Sequence, residues 1–136
     1  MNKNMAEEIE NKITQLRKGI LELAIMAALY HKTHYGYSLV RNLSGSGSVE
    51  LKEGTIYPIL ARLAREGLVQ SEWIESSLGP PRKYYSLSSS GRSIFESLQT
   101  EFQSLVQLVA SASTNTAEAG QEKTAKKIII RRNKDE

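Results

Sequence analysis

The stretch EGTIYPILARLAREGLV, residues 53–69, constrains the fold more than any other part of the sequence. Its isoleucines and leucines recur at helical spacing, and Gly67 follows them where a helix usually ends. Pro58 has no amide hydrogen to donate, so it belongs in the first turns of the helix and fixes where that helix starts. We therefore predict an amphipathic helix over residues 53–66 that leads directly into a strand.

A β-hairpin is predicted immediately after this helix. Residues 68–74 alternate partly between apolar and polar types, and residues 83–87, which include two tyrosines, fit the partner strand. The sequence ESSLGPPR lies between them, and its Gly-Pro-Pro is expected to form an irregular loop because proline donates no ladder hydrogen bond. Arg82 and Lys83 then lie at the tip of the hairpin, and Trp73 is expected to cover the core.

Helices are also predicted on the N-terminal side of this unit. Residues 5–16 carry a narrow apolar stripe, and residues 20–29 are apolar nearly all round, which is typical of a buried helix. Gly19 marks a break or a close packing point between these two helices. A short helix is predicted after the turn at Gly36, because apolar residues keep helical spacing over residues 37–43.

A long helix is predicted over residues 89–112, and the serines before it are candidate N-caps. Its apolar stripe, with successive spacings of four, four, three and four residues, consists of Ile94, Leu98, Phe102, Leu105 and Val109. A small core cannot cover such a stripe, so we expect a second subunit to pack on it. The predicted organisation is a helix and hairpin unit over residues 1–88, a dimerisation helix over residues 89–113 and a flexible basic tail over residues 114–136.

Composition argues against catalytic and metal chemistry. The sequence has no cysteine, and its only aspartate is Asp135, so thiolate sites and aspartate-based catalytic sets are excluded. His31 and His34 lie close together without an obvious carboxylate or thiolate companion, and we expect no metal and no cofactor. No long apolar run is present, which predicts a cytoplasmic protein that does not enter a membrane. We expect that the protein is not an enzyme.

The order of the predicted elements, three helices and then a hairpin, is that of a winged helix-turn-helix, a mostly α fold with a small β-hairpin. In this fold the third helix can enter the major groove of B-DNA, and the hairpin tip can reach phosphates or the minor groove. The third helix is expected to expose Thr55, Tyr57 and Arg62, and the formal charge of +3 is compatible with a polyanion. The alternative is a winged helix that binds only protein partners.

Several motifs closely resemble those of the PadR family of transcription regulators. They are YGYSLV, EGTIYPILARLAREGLV, the hairpin Trp73 and GPPRKYYSLSSSG, and the resemblance covers about residues 21–113. It implies a dimeric repressor from the compact branch of the family, whose single C-terminal helix packs on the N-terminal region of the partner subunit. It also implies duplex DNA as the partner. Some relatives bind a small-molecule effector, and whether this chain does stays open at this point. Ser38 departs from the common pattern, which often has an acidic residue there.

Two sets of candidate site residues follow from the sequence and the resemblance. The candidate DNA-binding residues are Tyr37, Ser38, Thr55, Tyr57, Arg62, Arg82 and Lys83. The candidate dimerisation residues are Ile94, Leu98, Phe102, Leu105 and Val109. The sequence leaves two roles open. Tyr37 either contacts a phosphate or caps the packing of its helix. Phe95 and Phe102 either line a cavity between subunits or belong to a dimer core.

Overall fold

The computed structural model describes residues 3–45, 49 and 51–114. Within them the chain forms, in order, α1 (Lys3–His31), β1 (His34–Tyr35), α2 (Gly36–Gly45), α3 (Glu53–Arg65), β2 (Val69–Ser76), β3 (Gly79–Leu87) and α4 (Ser89–Ser113). The chain divides into two compact units, Met1–Leu98 and Gln99–Glu136. The first unit is a winged helix-turn-helix, which confirms the predicted fold class, and the predicted tail lies outside the described residues except for Thr114.

The first helix, α1, is continuous over 29 residues, so the prediction of a break at Gly19 is wrong. A side chain at Gly19 would meet nothing within 4 Å, and glycine is therefore not needed there for close packing either. A glycine in a helix interior costs about 1 kcal/mol relative to alanine. The burial of Ile25, Met26 and Leu29 in the core offsets this cost and holds the second half of α1 in place.

The core of the first unit collects apolar side chains from all its helices and from both long strands. Its buried residues are Ile25, Met26, Leu29, Leu39, Ile56, Ile59, Leu60, Leu63, Val69, Leu87 and Phe95. Phe95 is 1% exposed, and its ring centroid lies 4.8 Å from that of Tyr30. Because its own chain buries it, both roles considered for Phe95, in a cavity between subunits or in a dimer core, are wrong.

The strands form one antiparallel sheet in the order β1-β3-β2. β1 pairs with only two residues of β3, whereas β2 pairs along most of it. Tyr84 and Tyr85 point to opposite faces of β3, and Tyr85 is the one that packs against the core. The turn of the hairpin consists of Ser77 and Leu78 alone.

Residues 80 and 81, both proline, lie inside β3, so the prediction of a loop over Gly-Pro-Pro is wrong. The register pairs Ile74 with Arg82 and Ser76 with Gly79, which leaves one residue of β2 opposite the two prolines. Such a β-bulge is a position where a strand accepts residues that have no amide hydrogen. Arg82 is consequently held by the strand ladder and does not lie on an irregular loop.

The end of α3 and the start of α4 are joined by a small hydrogen-bond network. Gly67 has a φ of +75°, a left-handed conformation that lets the chain leave α3 and enter β2. The Ser88 hydroxyl caps α4 by accepting from the Gly91 amide at 3.0 Å, and it donates to the Gly67 carbonyl at 2.7 Å. A Cβ at Gly91 would overlap the Leu68 carbonyl oxygen, so only glycine permits this close approach.

Candidate nucleic-acid interface

The outer face of α3 is the first component of the candidate interface. Its inner face is apolar and buried, whereas Thr55, Tyr57, Arg62 and Arg65 on other faces are exposed. Thr55 lies in the first turn, where its amide donates to the Lys52 carbonyl at 3.0 Å. A helix that buries one apolar face and exposes polar residues on its other faces can bind a polar partner with the exposed side.

Tyr57 connects α3 to the start of α2. A Cβ at Gly36 would come within 2.7 Å of the Tyr57 ring atom Cε1, so the ring lies directly against the glycine backbone. Burial raises the pKa of the Tyr57 hydroxyl, and the nearby Glu53 carboxylate raises it further. The phenol therefore stays protonated at neutral pH and can donate a hydrogen bond. The sequence predicted Gly36 as a turn residue, but its packing role depends on a contact between distant segments.

Aromatic and basic side chains from β1, α2, α3 and the hairpin surround one open depression of about 460 Å³. We call it the tyrosine depression, and its lining residues are Tyr35, Gly36, Tyr37, Tyr57, Trp73, Arg82, Lys83 and Tyr85. It brings together four of the seven candidate DNA-binding residues, which are far apart in sequence. Tyr35 was not predicted as a site residue, although its place directly before the YGY glycine could have indicated it.

Both hairpin cations lie over aromatic rings of the tyrosine depression. The Arg82 Cζ is 4.6 Å from the Tyr35 ring centroid, and the Lys83 Nζ is 5.9 Å from that of Trp73 and 5.8 Å from that of Tyr85. Cation–π contacts of this kind orient a charged group without using its N–H donors. The donors of the exposed Arg82 and Lys83 therefore remain available for an anion.

Trp73 is 68% exposed, so the prediction that it covers the core is wrong. It belongs to β2, which is an edge strand of the sheet. After Val69, the next six residues of β2 are exposed on both faces, because the hairpin extends past the helices that form the core. Alternation along the strand could not show where this extension begins.

Ser38 is one of three candidates that the structure does not bring into the tyrosine depression, and the other two, Thr55 and Arg62, lie on α3. The Ser38 hydroxyl lies 2.7 Å from Nδ1 of His34, and the two side chains share a hydrogen bond. His34 is 5% exposed, and burial, together with the charge of Lys32, lowers its pKa below the ordinary value of 6.5. The imidazole is therefore neutral at pH 7, and the pair joins β1 to the first turn of α2.

Arg62 is engaged within the chain. Its guanidinium lies 3.5 Å from the Glu22 carboxylate on α1, and the two side chains are 46% and 28% exposed. An exposed pair of this kind is worth only about 0.2–1 kcal/mol. Arg62 can therefore exchange Glu22 for another anion at little cost.

The candidate dimerisation residues form an exposed apolar stripe along α4. Ile94, Leu98, Leu105 and Val109 are between 41% and 63% exposed, and Phe102 is half-buried. On α1, the apolar residues Met5, Ile9, Ile13 and Leu16 are 40–68% exposed and line a depression of about 680 Å³. Apolar stripes of this size are unusual on a surface that meets only water.

Membrane spans and metal clusters are both absent from the part of the chain that the structure describes. None of the helices in this part combines the length and hydropathy needed to cross a membrane. Among the same residues, no three His, Asp or Glu side chains lie where they could hold a metal ion.

Comparison with known proteins gives one consistent family. The family described as "Transcriptional regulator PadR-like family" matches residues 25–97. A PadR-like transcription factor from Bacteroides fragilis is 37% identical, covers 76% of this chain and 99% of its own, and has a TM-score of 0.64. A PadR-like transcriptional regulator from Bacillus cereus is 34% identical over 71% of this chain and 93% of its own, with a TM-score of 0.65. A PadR family transcriptional regulator from Eggerthella lenta is 28% identical over 84% of this chain and 100% of its own, with a TM-score of 0.69.

The match over residues 25–97 spans α2, α3, the hairpin and the first turns of α4, together with the buried part of α1. It therefore contains all the residues that line the tyrosine depression and all seven candidate DNA-binding residues. The resemblance identified from the motifs is confirmed, and this chain belongs to the PadR-like family of transcriptional regulators.

Proposed function

We propose that this chain is a sequence-specific repressor of transcription that binds duplex DNA as a homodimer. The observation that carries the proposal is the tyrosine depression, in which the exposed side of α3 and the two hairpin cations share one surface. A helix and a basic hairpin that meet in this way match the two things a duplex offers, a groove lined by base edges and a charged backbone.

In the proposal, α3 enters the major groove, where Thr55, Tyr57 and Arg62 meet base edges or the groove wall. The hairpin cations Arg82 and Lys83 contact phosphates, because their contacts with aromatic rings do not use their N–H donors. Tyr37, which is 53% exposed, contacts a phosphate through its hydroxyl. Ser38 acts with His34 to hold the start of α2 in position.

Dimerisation in the proposal uses the apolar stripe of α4, through Ile94, Leu98, Phe102, Leu105 and Val109. The exposure of this stripe supports the assignment, as does the apolar stripe of α1 on which a second copy would pack. Residues 1–88 then form the DNA-binding unit and residues 89–113 the dimerisation helix. A two-fold dimer presents two copies of α3 to half-sites separated by about one helical turn of DNA, roughly 34 Å.

The proposal also assigns a cellular location and a mode of regulation. A repressor of this type acts in the cytoplasm, has no catalytic activity and excludes the transcription machinery from the DNA that it occupies. A small-molecule effector would relieve repression by binding between the subunits. Phe102 is the aromatic residue available for such a contact, since Phe95 lies in the core of its own chain.

The proposal is tested by titrating the full chain against the DNA upstream of its own gene and against a shuffled duplex of the same length and composition. Regulators of this kind commonly control their own promoter, so we expect at least about 10³-fold tighter binding to the upstream duplex. Thr55→Ala should reduce this preference, because it removes a contact to a base edge or the groove wall. Arg82→Ala with Lys83→Ala should instead weaken binding to both duplexes and lower the salt slope by about 3.6, because the dimer would lose two phosphate contacts from each of its two hairpins.

A different result would favour the alternative, a winged helix that binds only proteins. Equal and weak binding to both duplexes, with a salt slope unaffected by the Arg82 and Lys83 changes, would remove the hairpin from any role in DNA binding. Circular dichroism of each variant provides the control, because a loss of binding counts only when the fold is retained.

A further inference from the structure

A second groove lies on the side of α3 that faces α1. It has a volume of about 320 Å³, and its lining residues are Thr14, Arg17, Lys18, Leu21, Thr55, Ile59 and Arg62. Four of these come from α1 and three from α3. We call it the basic groove, because it contains three cationic side chains and no acidic one.

The basic groove and the apolar stripe use different sides of α1. Residues 14, 17, 18 and 21 follow the spacing i, i+3, i+4, i+7 and so share one face of the helix. At about 100° per residue, the centre of the stripe formed by residues 5, 9, 13 and 16 lies roughly 135° away around the helix, and residue 13 is the stripe residue nearest to the groove. One helix can therefore pack on a second copy with one side and present charge with the other.

The basic groove and the tyrosine depression also flank α3 on opposite sides. Thr55, Ile59 and Arg62 fall on one side of the α3 helix, whereas Tyr57 falls on the other. Between these sides lie the exposed residues 54, 58 and 61, a glycine, a proline and an alanine, which have only small or compact side chains. The DNA major groove is about 12 Å wide, only slightly wider than a helix, and a phosphate backbone borders it on each side. A helix with small side chains on its outer surface and cations on both flanks fits such a groove.

The cations of α1 are free to bind an anion. Arg17 and Lys18 are exposed, and within the described residues neither has an acidic partner, whereas Arg62 is paired with Glu22. The hydroxyls of residues 14 and 55, both threonine, add two donors to the same groove. The arrangement offers charge-assisted hydrogen bonds to a phosphate without requiring any existing pair to break.

We propose that Arg17 and Lys18 of α1 bind phosphates of the DNA strand that borders the major groove on the side away from the hairpin. This inference rests on the proposed function and extends it from α3 and the hairpin to α1. The duplex backbone on one side of α3 is then held by Arg82 and Lys83, and the backbone on the other side by Arg17 and Lys18. The contacts are to phosphate, so they contribute affinity and register but no sequence preference.

The test compares three single variants of the full chain that each remove one positive charge from α1. Arg17→Gln and Lys18→Gln change the basic groove, and Lys12→Gln is the matched control for charge because Lys12 lies on the opposite face of α1. Lys12 borders the apolar depression that we assign to packing of the second copy, so light scattering must first show that this control is still a dimer. Each variant is titrated against the upstream duplex and the shuffled duplex over a series of salt concentrations. Because the proposed dimer contains two copies of the basic groove, we expect the salt slope of each basic-groove variant to fall by about 1.8 and its affinity for both duplexes to fall by about 60-fold at 0.1 M salt. Lys12→Gln should leave the slope unchanged, and Arg17→Lys, which keeps the charge, should restore most of the slope.

Three outcomes would overturn the inference. The first is an unchanged slope for Arg17→Gln and Lys18→Gln, and the second is an equal loss for Lys12→Gln. The third is a loss of affinity that accompanies dissociation to monomers, measured by light scattering of the same samples. Failure of the proposed function looks different, because the unaltered chain would then show no preference for the upstream duplex. In that case the α1 variants would have no specific complex to weaken.

Discussion

Helices α3 and α4 carry apolar stripes of similar periodicity, but only one of the two stripes is covered. In α3 the buried residues, which are at most 9% exposed, are Ile56, Ile59, Leu60 and Leu63. In α4 the stripe residues that are 41–63% exposed are Ile94, Leu98, Leu105 and Val109. The difference lies in what each helix meets, because α3 packs within its own unit, whereas the described part of the chain leaves most of the α4 stripe uncovered.

This difference separates the two roles that we propose for the helices. A helix that buries its apolar face in its own core leaves polar and aromatic residues for another molecule, and in α3 these are Thr55, Tyr57 and Arg62. A helix that leaves its apolar face exposed needs an apolar partner, which a second copy of the chain can supply. The comparison is therefore open to direct tests on each helix.

The largest effect is expected from placing charge in the α4 stripe. Replacing Leu98 and Leu105 together by Glu should give a monomer, because buried carboxylates without partners strongly oppose association. A monomer loses the coupling between two half-sites, so operator affinity should fall by about 10²-fold or more. Light scattering and duplex titration measure the two consequences separately.

The matched control places the same two charges on the other side of α4. Gln103→Glu with Gln107→Glu changes exposed residues that lie away from the stripe, and it should leave both mass and affinity nearly unchanged. A Leu98 and Leu105 variant that remained a dimer would show that the stripe is not the interface.

A smaller effect, on stability, is expected where the first turn of α4 packs against the core that also covers the apolar face of α3. Gly91→Ala should reduce the free energy of unfolding by about 1–3 kcal/mol, because its Cβ would overlap the Leu68 carbonyl oxygen. Thermal denaturation measures this change. Gly19→Ala is the control, since its Cβ meets nothing within 4 Å, and it should raise stability by about 0.5–1 kcal/mol. Equal effects of the two substitutions would contradict the described junction.

The sequence predicted elements with local signals well and contacts between distant segments poorly. The range of α3, the role of Gly67 as its end and the α4 stripe all follow from periodicity and capping within a few residues. The exposure of Trp73, the contact between Gly36 and Tyr57 and the burial of Phe95 depend on which segments meet in space. The strand through both prolines was missed because a bulge is a property of the pair of strands and not of one of them.

A further, smaller effect is expected on the exposed side of α3. Glu22→Gln removes the partner of Arg62 and one negative charge near the basic groove. Each chain of the dimer has one such pair, worth about 0.2–1 kcal/mol, so the variant should tighten binding to both duplexes by up to about 30-fold. Titration at 0.1 M salt measures the change. Weaker binding by this variant would show that the pair positions Arg62 for DNA and does not compete with it.

The smallest effect is expected from pH, which should change the stability of the first unit through His34 and should not affect the α4 stripe. Because burial lowers the pKa of His34, the unfolded chain takes up a proton more readily than the folded chain. The contribution of His34 to stability is therefore complete above about pH 6.5, the ordinary pKa of histidine, and is lost as the pH drops from there towards the folded pKa. Urea denaturation at pH 7.5 and 5.5 should show a smaller loss for His34→Gln than for the unaltered chain. Equal losses would mean that His34 does not contribute.

The division of roles, in which α3 meets DNA while α4 meets a second copy, can be checked by the mass of the saturated complex. Sedimentation equilibrium of the full chain with the upstream duplex measures how many chains one duplex binds at saturation. We expect two chains on each site and no stable complex with one, because the α4 stripe links the two copies of α3 across half-sites about one turn apart. Saturation at one chain for each duplex, or the same mass with the shuffled duplex at equal affinity, would be incompatible with these roles.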